Sequence, residues 1–268
     1  TLSDTLRAAT VRKFIAEQEY AVSSAEPWRP NRREEMGAKG RAVGMHALEV
    51  YTPRRYTTAA DLEVEHDVQG KYTQGLMMVE YAVCDEDEDP VSMALTAVSR
   101  LLAGHNLCHE DVGMMQVGSE SLLDRSKSIK SQLMMLFEPH GCSNVEGVDN
   151  YNACYGGTAA LLACTNWADS AAWDGRWAIA VATDISDSSK QYPFMYGAAA
   201  VAVLVGPDAP LALESQRTTT IINEWDFYKP AGESVGVNRI WAASELSPRL
   251  TPLPISSRPR RSLLLLLT

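Results

Sequence analysis

Two segments constrain the architecture more than any other feature of the chain. "RWAIAVATDIS" (176–186) and "GAAAVAVLVG" (197–206) carry apolar residues at odd and even positions alike. Successive side chains of a strand point to opposite faces, so a strand that is apolar on both parities is covered on both. Such strands need helices above and below the sheet, and the rest of the chain offers them. "DPVSMALTAVSRLLAGHNL" (89–107) has apolar positions at helical spacing and reaches Gly104, a residue suited to a C-cap. "GGTAALLACTNWADSAAW" (156–173) reads as a helix of small residues, "KSIKSQLMMLF" (127–137) as another, and "TAADLEVEHDV" (58–68) as a short one starting near Thr58 or Ala59. Between them, "VGMHALEVYTP" (43–53), stopped by Pro53, "VGMMQVGSES" (112–121) and "NVEGVDNYNAC" (144–154) read as strands. Strands alternating with helices imply an α/β layered fold with both sheet faces covered. A further helix is expected within residues 4–22, followed by a linker, and residues 231–268, rich in Ser, Pro and Arg, show no clear periodicity.

The 268 residues are enough for one large domain or two modest ones, and a composition 46% hydrophobic and 22% charged is that of a globular protein. The net charge of −10 argues against general affinity for nucleic acid or anionic membrane, which require basic surfaces. A local basic pocket can still take an anionic cofactor such as CoA. No apolar run approaches the roughly 20 residues that span a bilayer, and the closing "SLLLLLT" reads as a short sticky tail. Five scattered cysteines, with no C-x-x-C pair and no signal-peptide pattern ahead of them, imply reduced thiols in a cytosol-like compartment. His105, Cys108 and His109 are the nearest approach to a metal-ligand cluster, and surface packing is the favoured reading there.

Cys154 stands where an expected strand hands over to an expected helix. A helix N-terminus offers unpaired N–H groups and the positive end of the dipole, which favour a thiolate and a developing oxyanion. Gly156 and Gly157 would permit a tight turn and close approach of substrate to backbone. By these physical grounds alone, a buried packing cysteine competes with a nucleophile. Glu120 follows an apolar strand with no adjacent cation in sequence, so partial burial could poise it as an acid or base. A solvated loop glutamate is the competing reading.

The surrounding residues resolve the choice. "NACYGGTAAL" resembles the active-site signature of the 3-hydroxy-3-methylglutaryl-CoA synthase (hydroxymethylglutaryl-CoA synthase) family of the thiolase superfamily. So do "GKYTQGL" (70–76), "VGSESLLDRSKSIKS" (117–131), "EGVDNYNACYGGTAALLACTNW" (146–167), "WDGRWAIAVATDI" (173–185), "VLVGPDAP" (203–210) and "DFYKP" (226–230), in the family's order. The resemblance spans about residues 43–230. It implies a thiolase-like α-β-α architecture of two similar halves, with residues 42–212 as the N-terminal half and 213–230 as the start of the second. Residues 1–41 would be an N-terminal extension and 231–268 a divergent tail.

It also implies an acyltransferase that condenses acetyl-CoA with acetoacetyl-CoA in the mevalonate route to isoprenoids. Both CoA thioesters are substrates, and no metal or other cofactor is implied. Cys154 matches the acetylated nucleophile and Glu120 the general acid/base that handles the methyl proton. Lys71 matches a lysine contacting the CoA-bearing substrate, Tyr155 a residue shaping the pocket, and Asp184 and Asp226 acidic residues that support acetylation by positioning. The family's homodimer and a cytoplasmic location, an organellar one remaining open, complete the implication.

Departures stand beside the matches. Tyr192 and Tyr196 occupy positions where the family carries a small amide and a hydroxyl, and Ala199 replaces a glycine. All five histidines (His46, His66, His105, His109, His140) precede Cys154, and none lies in a block like the family's late histidine motif. A catalytically defective relative, retaining at most acetyl transfer or subunit pairing, is therefore the alternative reading.

Overall fold

The computed structural model describes residues 42–124, 126–186, 195–214 and 216–221. The chain divides into two compact units, Thr1–Thr219 and Thr220–Thr268, and the fold below is that of the first. The helix expected within residues 4–22 and the tail 231–268 lie outside the described residues, as do Tyr192 and Asp226.

The expected strands are present: β1 (Gly44–Tyr51), β4 (Val112–Gly118), β6 (Trp177–Ser186) and β7 (Gly197–Gly206). A two-residue β5 (Asp149–Asn150) and β8 (Leu211–Ala212) close the edges, giving the order β5-β4-β6-β7-β1-β8. β5, β4 and β6 run parallel, whereas β7 is antiparallel to both β6 and β1. A hairpin of β2 (Arg55–Thr58) and β3 (Glu80–Val83) forms a separate small sheet. Between its strands run α1 (Ala59–Glu65), capped by Thr58 as expected, and a π-helical turn, Lys71–Gly75.

Side-chain parity divides the main sheet into two cores. Met115 and Val117 of β4, Ile179 and Val181 of β6, and Ala200, Ala202 and Leu204 of β7 face α2 (Pro90–Gly104). Phe137 and Leu133, from the segment around α3 (Ile129–Leu133), complete that core. The opposite parity, Met114, Ala178, Ala180 and Val205, packs against α4 (Gly156–Asp169). Here small residues meet small ones. α4 buries Gly156, Ala160, Cys164 and Ala168, one every four residues and hence one stripe, against the alanines of β6. The two sides are covered unequally, because Leu48 and Val50 of β1 remain 54% and 46% exposed.

Four expectations are corrected locally. α2 does end at Gly104, but its cap is His105, and the left-handed residue that reverses the chain is Asn106 (φ 51°). α3 covers only five residues before the backbone tightens into a 3₁₀ turn at Met134–Leu136, ahead of Pro139. The strand expected over 144–154 reduces to β5 and a bridge between Glu146 and Met114, with Gly147 (φ 143°) bending the segment. α4 stops at Asp169, four residues before Trp173.

α2 carries a strong local start signal. Asp89 accepts from Ser92 N at 2.8 Å, Ser92 Oγ accepts from Asp89 N at 2.9 Å, and Pro90 fills the first turn. Thr183 Oγ1 of β6, buried, donates to Pro90 O at 2.8 Å and ties the helix start to the sheet.

Candidate active site

The carboxyl ends of β4 and β5, Gly118 and Asn150, lie beside Ala182 of the parallel strand β6, which runs on to Ser186, and the loops leaving β4 and β5 carry Glu120 and Cys154. Those two residues are 34 apart in sequence, yet Cys154 Sγ lies 3.7 Å from Glu120 Oε1, the thiol donating to the carboxylate. Cys154 is exposed and Glu120 half-buried, so the pair opens to solvent.

Backbone-on-backbone packing makes this approach possible. A Cβ on Gly118 would sit 2.2 Å from Gly156 C and Gly157 N, and one on Gly156 would sit 2.7 Å from Asn150 O. The end of β4 therefore touches the start of α4 at a distance that only glycine allows. The glycines serve this close packing and not the turn. The turn itself is made by Ala153, a non-glycine residue at φ 40°, directly before the cysteine. Cys154 stands two residues ahead of α4, whose first residue is Gly156 and whose N-cap is Tyr155, 48% exposed.

A single carboxylate oxygen anchors the other side. Asp184 Oδ1 accepts from Glu120 N at 2.8 Å, Ser121 Oγ at 2.9 Å, Ser121 N at 3.1 Å and Ser119 Oγ at 3.2 Å. Burial pushes the Asp184 carboxyl above its usual range, and these donors pull back against it. Beneath β5, Asn150 Nδ2 donates to Gln116 Oε1 at 3.0 Å and to Val117 O at 3.2 Å. Asp149 accepts from Ile129 N at 2.6 Å and Lys130 N at 2.9 Å, fixing the start of α3 to the same strand.

The residues expected from sequence thus separate into two groups. Cys154, Glu120, Asp184 and Tyr155 come together at one end of the main sheet. Lys71 stands on the hairpin module. Its Nζ lies 5.5 Å from the Tyr72 ring centroid, and Tyr81 of β3 reaches Tyr196, beside β7, at 5.7 Å. The turn that presents Lys71 is held by Glu63, which accepts from Gly70 N, Tyr72 N, Thr73 N and Thr73 Oγ1 at 2.7–3.0 Å. Thr73 N–H leads the donors that hold the Glu63 carboxyl below its usual range. Ser119, Ser121, Gly118 and Asn150 were missed as members of the site. The serines flanking Glu120 in "GSES" were the available signal.

The histidines have other neighbours. His46 packs edge-on against Trp177 at 4.8 Å, His66 Nδ1 lies 2.9 Å from Tyr72 OH, and His109 stacks on His140 at 3.8 Å. Among the described residues, no group of three or more His, Cys, Asp or Glu is placed to hold a metal ion.

Comparison with known proteins decides the family. Residues 39–210 match the family profile described as "Hydroxymethylglutaryl-coenzyme A synthase N terminal". The chain belongs to the hydroxymethylglutaryl-CoA synthase family. It is 48% identical over 198 residues to hydroxymethylglutaryl-CoA synthase erg13B of Aspergillus fumigatus, covering 73% of this chain and 43% of that protein. Against the human mitochondrial hydroxymethylglutaryl-CoA synthase it is 43% identical over 220 residues, covering 81% and 42%. Among solved structures, MvaS in complex with 3-hydroxy-3-methylglutaryl coenzyme A matches with a TM-score of 0.66 at 35% identity, covering 72% of this chain and 47% of that one. The chain spans somewhat over two fifths of the length of these curated relatives. Relatives include cytoplasmic as well as mitochondrial forms. Among the described residues, no helix is long and apolar enough to cross a membrane.

Proposed function

We propose that the chain takes part in the hydroxymethylglutaryl-CoA synthase reaction, with Cys154 as nucleophile and Glu120 as general acid/base. The Cys154 Sγ–Glu120 Oε1 distance of 3.7 Å is the observation that carries the reading. The sulfur of Cys154 attacks the thioester carbonyl of acetyl-CoA, its proton leaves, and the C–S bond to CoA breaks, releasing CoA as the thiol. A carboxylate at the Glu120 position then removes a proton from the methyl group of the acetyl-cysteine, leaving the C–H electron pair in an enolate. That carbon attacks the ketone carbon of acetoacetyl-CoA, whose oxygen gains a proton. Water then cleaves the cysteine thioester, giving 3-hydroxy-3-methylglutaryl-CoA and the free thiol.

Other parts of the reading have their own support. Asp184, half-buried beside the Glu120 loop, would support acetylation by positioning. Tyr155, exposed beside Cys154, would shape the pocket mouth, and Lys71, a mobile point charge on a four-carbon stem, suits a CoA phosphate. Asp226 keeps the supporting role implied by "DFYKP". The profile match favours residues 42–212 as the N-terminal half of the fold. CoA thioesters as partners are supported by the relative solved with 3-hydroxy-3-methylglutaryl coenzyme A. Assembly as a homodimer and a cytoplasmic location belong to the same reading.

The narrower alternative, acetyl transfer without condensation, shares its first step with this reading. Incubation with radiolabelled acetyl-CoA and peptide mapping tests the shared first step, and label on Cys154 is the expected result. Glu120→Ala should keep that label while slowing solvent-deuterium exchange into the acetyl methyl by about 10²–10⁴-fold, the usual cost of losing a general base. Label on another cysteine, or none on folded protein, overturns the reading.

A further inference from the structure

The loop that carries Glu120 leaves β4 with no regular structure of its own, so something else must hold its carboxylate against the acetyl group. Asp184 of β6 supplies one link, accepting from Glu120 N at 2.8 Å. One hydroxyl supplies a second, to the β6 backbone itself. Ser121 Oγ accepts from Ile185 N at 3.0 Å, and its single proton is shared between Asp184 Oδ1 at 2.9 Å and Ile185 O at 3.1 Å. Its own N–H donates to Asp184 Oδ1 at 3.1 Å. Ser121 therefore joins the residue after Glu120 to the end of β6 through both backbone groups of Ile185 and through Asp184. Ser119, on the other flank, reaches the same oxygen at 3.2 Å and also accepts from Ser121 N at 3.0 Å.

We infer that Ser121 is a positioning residue for the methyl-proton transfer, acting through Glu120 and never touching substrate. The inference rests on the reading that Glu120 takes that proton. The consequence is selective, because acetylation and enolisation ask different things of the site. Acetyl transfer needs the Cys154 sulfur, which is carried by the β5–α4 connection and held by Gly156, Gly118 and Asn150. Enolisation needs, in addition, a carboxylate oxygen within reach of a methyl carbon on that sulfur, and reacting atoms must lie about 3–3.5 Å apart. Loosening the Glu120 loop by 1 Å or so costs about 10²-fold in such a step. Apart from the 3.7 Å contact with Glu120 Oε1, the backbone packing that places the sulfur is left in place by that loosening.

A matched pair of variants isolates the hydroxyl. Ser121→Thr keeps Oγ, while Ser121→Val has the outline of threonine with a methyl in place of the hydroxyl. Each is measured twice: for the rate of acetyl label appearing on Cys154, and for deuterium entering the acetyl methyl in heavy water. Relative to Ser121→Thr, Ser121→Val should exchange about 10–100-fold more slowly while transferring acetyl within about threefold. Circular dichroism and melting confirm that both are folded; where the valine variant is not, Ser121→Ala takes its place. Equal exchange in the two variants overturns the inference, and so does a parallel loss of transfer and exchange that follows a lowered Tm, the mark of a purely structural role. If the unsubstituted chain transfers acetyl but shows no exchange, the assignment of Glu120 fails first and the inference falls with it.

Discussion

Gly118→Ala replaces one hydrogen with a methyl group, yet the site as a whole depends on that hydrogen. The new carbon would stand 2.2 Å from Gly156 C and Gly157 N and 2.4 Å from Gly156 O, all backbone atoms that cannot rotate aside. Ordinary contact between carbons begins near about 3.5 Å, so β4 and the start of α4 would have to separate by about 1.3 Å. That movement falls directly between the two functional loops. Glu120 lies two residues beyond Gly118 and Cys154 two residues before Gly156, and their 3.7 Å approach is built on this contact. Overpacking of a tight interior typically costs about 1–3 kcal/mol, or a fall of about 2–12 °C in Tm for a chain of this size. A displacement of about 1 Å between reacting groups costs about 10²-fold in rate. Gly118→Ala should therefore melt earlier and also lose methyl exchange by about 10²-fold per acetylated protein. Gly104→Ala is the control, because its new carbon meets nothing closer than Glu49 Oε1 at 3.8 Å, at the end of a helix. Differential scanning fluorimetry and deuterium exchange on both variants give the comparison. If Gly118→Ala melts and exchanges like Gly104→Ala, the argument from backbone contact is wrong.

Two further outcomes follow from features away from the nucleophile. Asp89→Ala removes the N-cap of α2 and should cost about 0.5–2 kcal/mol in urea unfolding while leaving acetyl transfer to Cys154 unchanged. Burial, with His140 stacked on it, holds the His109 imidazole down to about 4, below its ordinary value near 6.5. The folded state thus prefers the neutral ring, so stability is complete above pH 6.5 and drains away as pH falls from about 6.5 to about 4. Tm measured across that window should drop less steeply in His109→Phe than in the unsubstituted chain, and an unchanged slope would refute the assignment.

Much of the scaffold was legible in the residues because it depends on short-range periodicity. Apolar residues on both parities of 176–186 and 197–206 required covered faces, and helical spacing over 89–107 located α2. The family, too, was written in local blocks such as "NACYGGTAAL". The sequence by itself thus determined the layered class, the main strands and the family to which the block around Cys154 belongs. Only the tertiary structure decided what that cysteine meets. β5 shrank to two residues because its hydrogen bonds are set by β4, whose paired residues lie 32 positions upstream in a register no local pattern encodes. The glycines after Cys154 were read as a turn, but what they meet is Gly118 across the fold, and the turn fell to Ala153. Ser121 carried no periodic signal at all. Its importance comes from Asp184 and Ile185, which lie 63 and 64 residues away and reach it only because β4 and β6 pair in parallel with Gly118 opposite Ala182. Periodicity reports which face a residue occupies. Distances between loops depend on strand register and backbone contact, and those exist only once the chain has closed on itself.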